Sequence, residues 1–416
     1  MNRRNRSRCG LLVLATAIGL TACSSASPGS SPGSSGSSSD AVIRVMNVGV
    51  QTPTASFGGI AFPYGATGVK AAAAAINATG GIDGHKIQVD VCDTKGDPNI
   101  SAQCGRTAAS NGDVAVVGTF DPIGAAQLVA VLQAEHIPYI GGLPTAPAEF
   151  TSPVSFQFDP GAILGATALA QLWSDSGCKD VAAIAPGNPG NNQTAIEQIQ
   201  VAKKFGITVH TQLITPGLAD VTPSLTTALS SKPNCFTYNG DGQTNVKYIL
   251  GLRQLGYKGK IITTSGSLTP QFVKILGSAA NGILILNSTL QPTDNDPMVA
   301  QFTKDLSTYL KGNQQQIAIN SNEFAQDGWS SVQLVKQALT GAKTFTAQTL
   351  LAKIPTMCDV NVGNVYPHVD FCKPVADSKL VPRLYNDEWR YFVIENDQTV
   401  PVDSSWHNMD ATVPAA

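Results

Sequence analysis

Short apolar strands alternate with helical segments in two successive runs, and this rhythm constrains the 416-residue chain more than any other feature. The first run predicts strands at 42–50, 87–91, 114–117 and 138–140, with helices at 64–78, 98–110 and 123–135 between them. After Asp159-Pro160-Gly161 the rhythm restarts with a helix at 162–175. Strands at 181–185, 208–214, 235–238, 261–263 and 283–286 follow, separated by helices at 193–205, 223–230 and 245–255. Three further helices, at 297–310, 324–339 and 347–354, precede a hairpin over 384–402 that turns at Asn396-Asp397. Strands that alternate with helices of this length form βαβ units and therefore parallel sheets. The pattern predicts an α/β chain with two doubly wound parallel sheets. In such sheets ligands bind beyond the carboxyl ends of the strands, and a cleft between two domains is a frequent ligand site.

The N-terminus carries a different message. Arg3, Arg4, Arg6 and Arg8 precede an apolar run over 11–20 that closes on Leu20-Thr21-Ala22-Cys23. The run is about half the length that a membrane-spanning helix needs, so residues 1–22 read as a cleaved export signal. Leu-Thr-Ala-Cys resembles the bacterial lipobox, which implies that Cys23 carries a diacylglycerol. Residues 24–40 are nearly all Ser, Gly and Pro, a composition that cannot bury apolar surface and behaves as a flexible tether. The expected arrangement is a globular body held by lipid on the outer face of the cytoplasmic membrane. Removing 1–22 leaves 23 basic and 29 acidic residues. That balance gives no basic footprint for nucleic acid.

Without Cys9 and Cys23, six cysteines remain, an even number that suggests disulfides in an exported protein. Local context pairs Cys92, at a strand end, with Cys104 on the next helix. Cys358 and Cys372 bracket one loop-rich segment, and Cys178 and Cys235 each precede a short strand. Zinc is the rival reading, although no CxxC or HxxxH spacing supports it. Beyond the tether there is no GxSxG, HExxH or P-loop motif and no nucleophile–base set, so neither an enzyme nor a cofactor or metal is expected.

The stretch AAAAAINATGGIDGHKI over 71–87 closely resembles the "INAxGGIxGxKI" segment of type I periplasmic binding proteins, above all the Leu/Ile/Val-binding branch that serves ABC importers. Asp93 with Asp97-Pro98, VAVVG at 114–118, HIPYI at 136–140, RQLGY at 253–257 and GSAANG at 277–282 are similar to further family motifs in the same order. The resemblance implies two Rossmann-like lobes joined by three hinge crossovers, near 158–159, near 287–291 and after Pro355. Lobe one would hold 41–157 and 290–356, and lobe two 158–289 and 357–416. It also implies a monomer that traps a small polar solute, such as an amino acid, an amide or a related metabolite, and delivers it to a membrane permease. A sensor on the same fold is the alternative.

The resemblance further implies the site. Phe57 aligns with a ring that covers the ligand. The loop after the third strand, with Phe120 and Asp121, aligns with the loop whose Ser holds a ligand carboxylate, but it has no Ser. Thr145 keeps the hydroxyl of the next loop. In lobe two Asn191 and Asp241 fall where the family has Tyr, and Ser265 falls where it has an ammonium-binding Glu. Asp121 and Asp241 would suit a cationic or hydroxyl-rich solute if they face the cleft, and otherwise are turn residues.

Overall fold

Short strands rich in Val and Ile build the first sheet: β1 (Ile43–Gly49), β2 (Ile87–Asp93), β3 (Ala115–Thr119), β4 (Tyr139–Gly142) and β5 (Ser155–Phe156). A computed structural model describes residues 42–54, 59–187, 189–291, 297–363, 365–375 and 377–414. The export signal, Cys23, the tether and Phe57 lie outside the described residues. The strands run in the order β2-β1-β3-β4-β5, all parallel. Between them come α1 (Tyr64–Ala78), α2 (Pro98–Asn111), α3 (Ala125–Ala134) and α4 (Ala148–Thr151). Local chemistry sets these bounds. Asp97 caps α2 by accepting from the Asn99 N–H at 2.8 Å, Pro98 fits the first turn, and Gly112 ends the helix at φ +73°.

The second sheet uses the same order. It comprises β6 (Asp180–Pro186), β7 (Thr208–Ile214), β8 (Cys235–Tyr238), β9 (Lys260–Thr264) and β10 (Leu284–Asn287), arranged β7-β6-β8-β9-β10 and parallel. Its helices are α5 (Gly161–Asp175), α6 (Pro189–Lys204), α7 (Thr222–Leu229), α8 (Gly242–Gln254) and α9 (Pro270–Leu276). Helix α8 starts a turn before the predicted 245, because Asp241 accepts from the Thr244 N–H at 2.8 Å and caps it.

The chain then returns to the first sheet with α10 (Pro297–Tyr309), α11 (Gln314–Asn320), α12 (Glu323–Leu339) and α13 (Ala347–Lys353). It ends on the second sheet with β11 (Glu388–Glu395), β12 (Gln398–Pro401) and β13 (His407–Asn408). These last strands are antiparallel, so the second sheet is mixed at that edge. Asn396 and Asp397, both at positive φ, make the hairpin turn.

Each sheet is covered on both faces. Helices α1, α10 and α12 pack one face of the first sheet around Val69, Phe302 and Trp329, and α2 and α3 pack the other around Cys104, Leu128 and Leu132. Helices α5 and α6 cover one face of the second sheet through Leu169, Trp173 and Val201, and α7, α8 and α9 cover the other through Leu225, Tyr248 and Val273. Helix α1 lies unusually close to α12. A Cβ at Gly68 would stand 1.8 Å from the Ala325 carbonyl oxygen, and one at Gly328 would stand 2.2 Å from that of Gly65. This contact fixes the start of α12, and with it Glu323 and Phe324.

Three disulfides form in the expected pairs: Cys92–Cys104, Cys178–Cys235 and Cys358–Cys372, with Cα atoms 5.8, 5.7 and 5.3 Å apart. The chain passes between the sheets three times, through 157–160, through 288–291 and through the segment from 355 to 387.

Candidate functional site

The carboxyl ends of both sheets face one cavity of about 250 Å³. That volume equals about eight waters at liquid density. The first sheet contributes loops after β3 (Phe120, Pro122, Ile123) and β4 (Leu143, Thr145). The second contributes the first turn of α6, which follows β6 (Asn191), and the segments after β8 (Asn239, Asp241), β9 (Ser265, Ser267) and β10 (Ser288). Asp159 enters from the first crossover, Glu323 and Phe324 from the first turn of α12, and Trp389 from β11. Gly165 on α5 makes room for the Trp389 ring, since a Cβ there would lie 3.1 Å from its edge.

Of the seven residues expected at the site, Phe120, Thr145, Asn191, Asp241 and Ser265 line this cavity, and Phe57 lies outside the described residues. Asp121 does not line it, nor does it face solvent. Its carboxylate is buried within the first half, where it accepts from Ser101 Oγ at 2.5 Å and the Gly124 N–H at 3.2 Å. The cause is the Asp-Pro turn, which folds the side chain back over its own backbone. Burial raises the Asp121 pKa, against these hydrogen bonds, which lower it.

The other polar groups are already engaged. The Thr145 and Ala146 N–H groups donate to buried Glu149 at 2.6 and 2.8 Å, and the Thr145 hydroxyl reaches the same oxygen at 3.3 Å. Burial pushes Glu149 up to about 7, although these bonds and the Tyr139 hydroxyl favour its ionised form. Asn191 Nδ2 donates to the Pro186 carbonyl at 2.7 Å. Asp241 accepts from the Tyr238 hydroxyl at 3.1 Å in addition to capping α8.

The residues that sequence reasoning missed are acids and aromatics. Asp159 accepts from the Gly161 N–H at 2.6 Å, Ser288 Oγ at 2.5 Å and the Tyr366 hydroxyl at 3.1 Å. Burial raises its pKa to about 6. Glu323 touches the Ser265 hydroxyl, and burial, with the nearby Asp159, pushes it to about 8. Asp327, one turn further along α12, is 1% exposed, and neither of its carboxyl oxygens has a partner. Burial and then the two neighbouring acids hold its pKa well above the carboxylate range. Phe62, Phe120 and Phe324 form an aromatic cluster with centroids 4.9–5.7 Å apart. Glu323 and Asp327 left one signal in the sequence: two like charges four residues apart on a mostly apolar helix, an unfavourable pair unless it has a use.

Proton counting gives a second view of Glu323. Asn287 Nδ2 donates to the Thr289 carbonyl at 2.8 Å, which fixes its amide orientation and leaves Oδ1 as an acceptor. Ser265 Oγ lies 2.6 Å from that Oδ1 and also against Glu323 Oε2. One hydroxyl proton cannot serve both. It serves one of them at a time; given to Glu323 it favours the ionised carboxyl, against the burial and the nearby Asp159 that raise its pKa. The carboxyl that the resemblance expects at position 265 therefore reaches that place from α12.

Among the described residues, one grouping has metal-ligand spacing: Cys358, Asp370 and Cys372. It is exposed, and its two sulfurs are joined to each other.

Two doubly wound sheets, three crossovers and a cavity lined from both sides define a cleft-type ligand-binding protein. Residues 45–373 match the family model described as periplasmic binding protein, and the chain belongs to that family. No curated protein matches the sequence. Among solved structures, a leucine-binding protein from Thermotoga maritima is 15% identical with a TM-score of 0.70, covering 89% of this chain and 99% of its own. A branched-chain amino acid transporter substrate-binding protein from Streptococcus pneumoniae, in complex with isoleucine, is 17% identical (TM-score 0.71; 86% and 98% covered). A fatty acid ABC transporter substrate-binding protein from Thermomonospora curvata is 14% identical (TM-score 0.72; 90% and 95% covered).

Proposed function

We propose that this chain is the extracytoplasmic solute-binding lipoprotein of an ABC importer, and that it traps a small solute between two lobes. The observation that carries the reading is a cavity lined by loops from the carboxyl ends of both sheets. A solute that touches both walls stabilises the closed arrangement through differential contacts, whereas one that touches a single wall cannot shift the equilibrium. The lobes correspond to 41–157 with 290–356, and to 158–289 with 357–416, and they hinge at the three crossovers. Thr145, Asn191, Asp241 and Ser265 contact the solute, together with Glu323 and Phe324. Cys23 carries the lipid that holds the protein at the membrane beside its permease. The leucine-binding, isoleucine-bound and fatty acid transporter neighbours support the transport role without fixing one solute.

The test is a thermal-shift screen with amino acids, amides, amines, sugars and carboxylic acids, paired with X-ray scattering. A solute at about 100 times its Kd adds roughly 2.7 kcal/mol to stability, and closure should reduce the radius of gyration. A library in which no solute raises the Tm or contracts the protein would refute the reading.

A further inference from the structure

We propose that the cleft takes a solute with a cationic nitrogen on a compact apolar body and no carboxylate of its own. The inference rests on the cavity being the solute site. Three carboxyl groups, Asp159, Asp241 and Glu323, line that cavity, while no Lys, Arg or His occurs among its described lining residues. Asp327 adds a fourth carboxyl directly behind, in a crevice that shares Phe62, Phe120 and Phe324 with the cavity. Within the described residues no cation pairs with Asp159, Glu323 or Asp327.

The backbone donors at the loop and helix ends that would receive an anion are largely consumed by the protein itself, and among the described residues the Asn239 amide is a lining group left without a hydrogen-bond partner at its Oδ1. The Thr145 and Ala146 N–H groups hold Glu149. At the N-terminus of α5 the Gly161 N–H holds Asp159, and the Ala162 N–H donates to the Pro144 carbonyl at 2.8 Å. Asp241 caps α8 and Asn322 caps α12. A solute carboxylate would thus face acids with few donors to receive it, and like charge disfavours the ionised form. A cationic nitrogen meets the opposite situation: carboxyl oxygens that lack a counter-charge, and the rings of Phe120, Phe324 and Trp389 to receive the apolar body and the cation's hydrogens.

A consequence separates this proposal from simple apolar binding. In the empty cleft the burial of Glu323, and then the nearby Asp159, favour its protonated form over the opposing Ser265 hydrogen bond. The groups that face it are acids, Asp327 on its own helix, Asp159 on the crossover and Asp241 across the cavity, together with the Ser265 hydroxyl. A cation that settles beside Glu323 favours its ionised form, so the proton leaves to solvent as the cation enters.

The test is isothermal titration of the full chain at pH 7 with 2-phenylethylamine and hexylamine, each against its amide and carboxylate counterpart. Runs in phosphate and in Tris count released protons. The expected result is that an amine binds at least tenfold more tightly than its amide, that its carboxylate binds more weakly still, and that up to one proton is released. Glu323→Gln should abolish the release and weaken amine binding at least tenfold. Asp159→Asn, as a second variant, should weaken amine binding while Glu323 still releases its proton. Tightest binding by a carboxylate, equal affinity across a series, amine binding without proton release, or no binding by either amine would each overturn the proposal. If another solute then contracts the protein in the scattering screen, the importer reading stands and only the solute class falls. If none does, both fall.

Discussion

Glu323→Gln should make the empty protein more stable near neutral pH and should flatten its stability against pH. The amide is isosteric and its oxygen can accept from Ser265 Oγ, as the carboxyl does, so the packing is kept. Glu323 has a folded pKa of about 8 against an ordinary 4.5. Its folded pKa is raised, so its contribution is fully present below the unfolded value and is lost as pH rises through the folded one. Linkage across that window gives a loss of about 3 kcal/mol between pH 5 and pH 7.5. For a folded body of roughly 380 residues, at about 2.1 cal/mol/K per residue, this corresponds to about 4 °C in Tm. Asp159, Glu149, Asp113 and Asp387 are also raised, to about 6, 7, 7 and 7, so both proteins should lose stability as pH rises. The difference between the two curves isolates Glu323. Differential scanning fluorimetry of ligand-free protein from pH 5 to 8.5 is the assay. Curves that coincide at pH 5 and separate by several degrees at 7.5 are expected. Parallel curves would mean that Glu323 is ionised in the empty cleft and that burial does not hold its proton.

Three further outcomes follow from the same geometry. Asp121→Ala removes the acceptor for Ser101 and Gly124 and should cost about 1–3 kcal/mol in urea denaturation, while solute affinity stays unchanged because this carboxylate does not reach the cavity. Gly266→Ala places a Cβ 2.6 Å from Glu323 Oε1. Displacing that carboxyl should cost about 1–3 kcal/mol of binding energy, tenfold or so in Kd by titration. Replacing both Cys178 and Cys235 by Ser opens a bridge spanning 57 residues between the starts of β6 and β8, and should lower the unfolding free energy by about 2–5 kcal/mol under non-reducing conditions.

How much of this was legible in the sequence depends on the range over which each signal acts. The strand–helix rhythm is local, and it placed the β1–β4 and β6–β10 strands and most of the helices. The disulfide pairs were also readable, because Cys104 lies on the helix that follows the strand ending near Cys92, Cys178 and Cys235 each precede a strand of one sheet, and Cys358 and Cys372 bracket one loop-rich segment. The short α4, α9, α11, β5 and β13 were missed, having too few residues to show a period. Asp121 was the misplaced site residue. Its type and loop suited a ligand contact, but whether an Asp-Pro turn aims its carboxylate outward or inward depends on Ser101, a residue from another helix.

Glu323 failed in the opposite direction, and the reason bears on function. Aligning loops one at a time found Ser265 where a carboxyl was expected and suggested that the acid was gone. In the folded chain, the close contact of α1 with α12, which Gly68 and Gly328 permit, brings the first turn of α12 to the β9 loop, and Gly266 leaves space for its carboxyl. The charge is thus conveyed by a helix of the first half to a loop of the second, and no motif within either segment encodes that meeting. The same arrangement ties recognition to closure. The Ser265–Glu323 contact spans the two sheets, so a solute that changes the protonation of Glu323 alters a hydrogen bond between the halves as well as its own binding. A cleft built this way responds to the charge of its solute as well as to its shape.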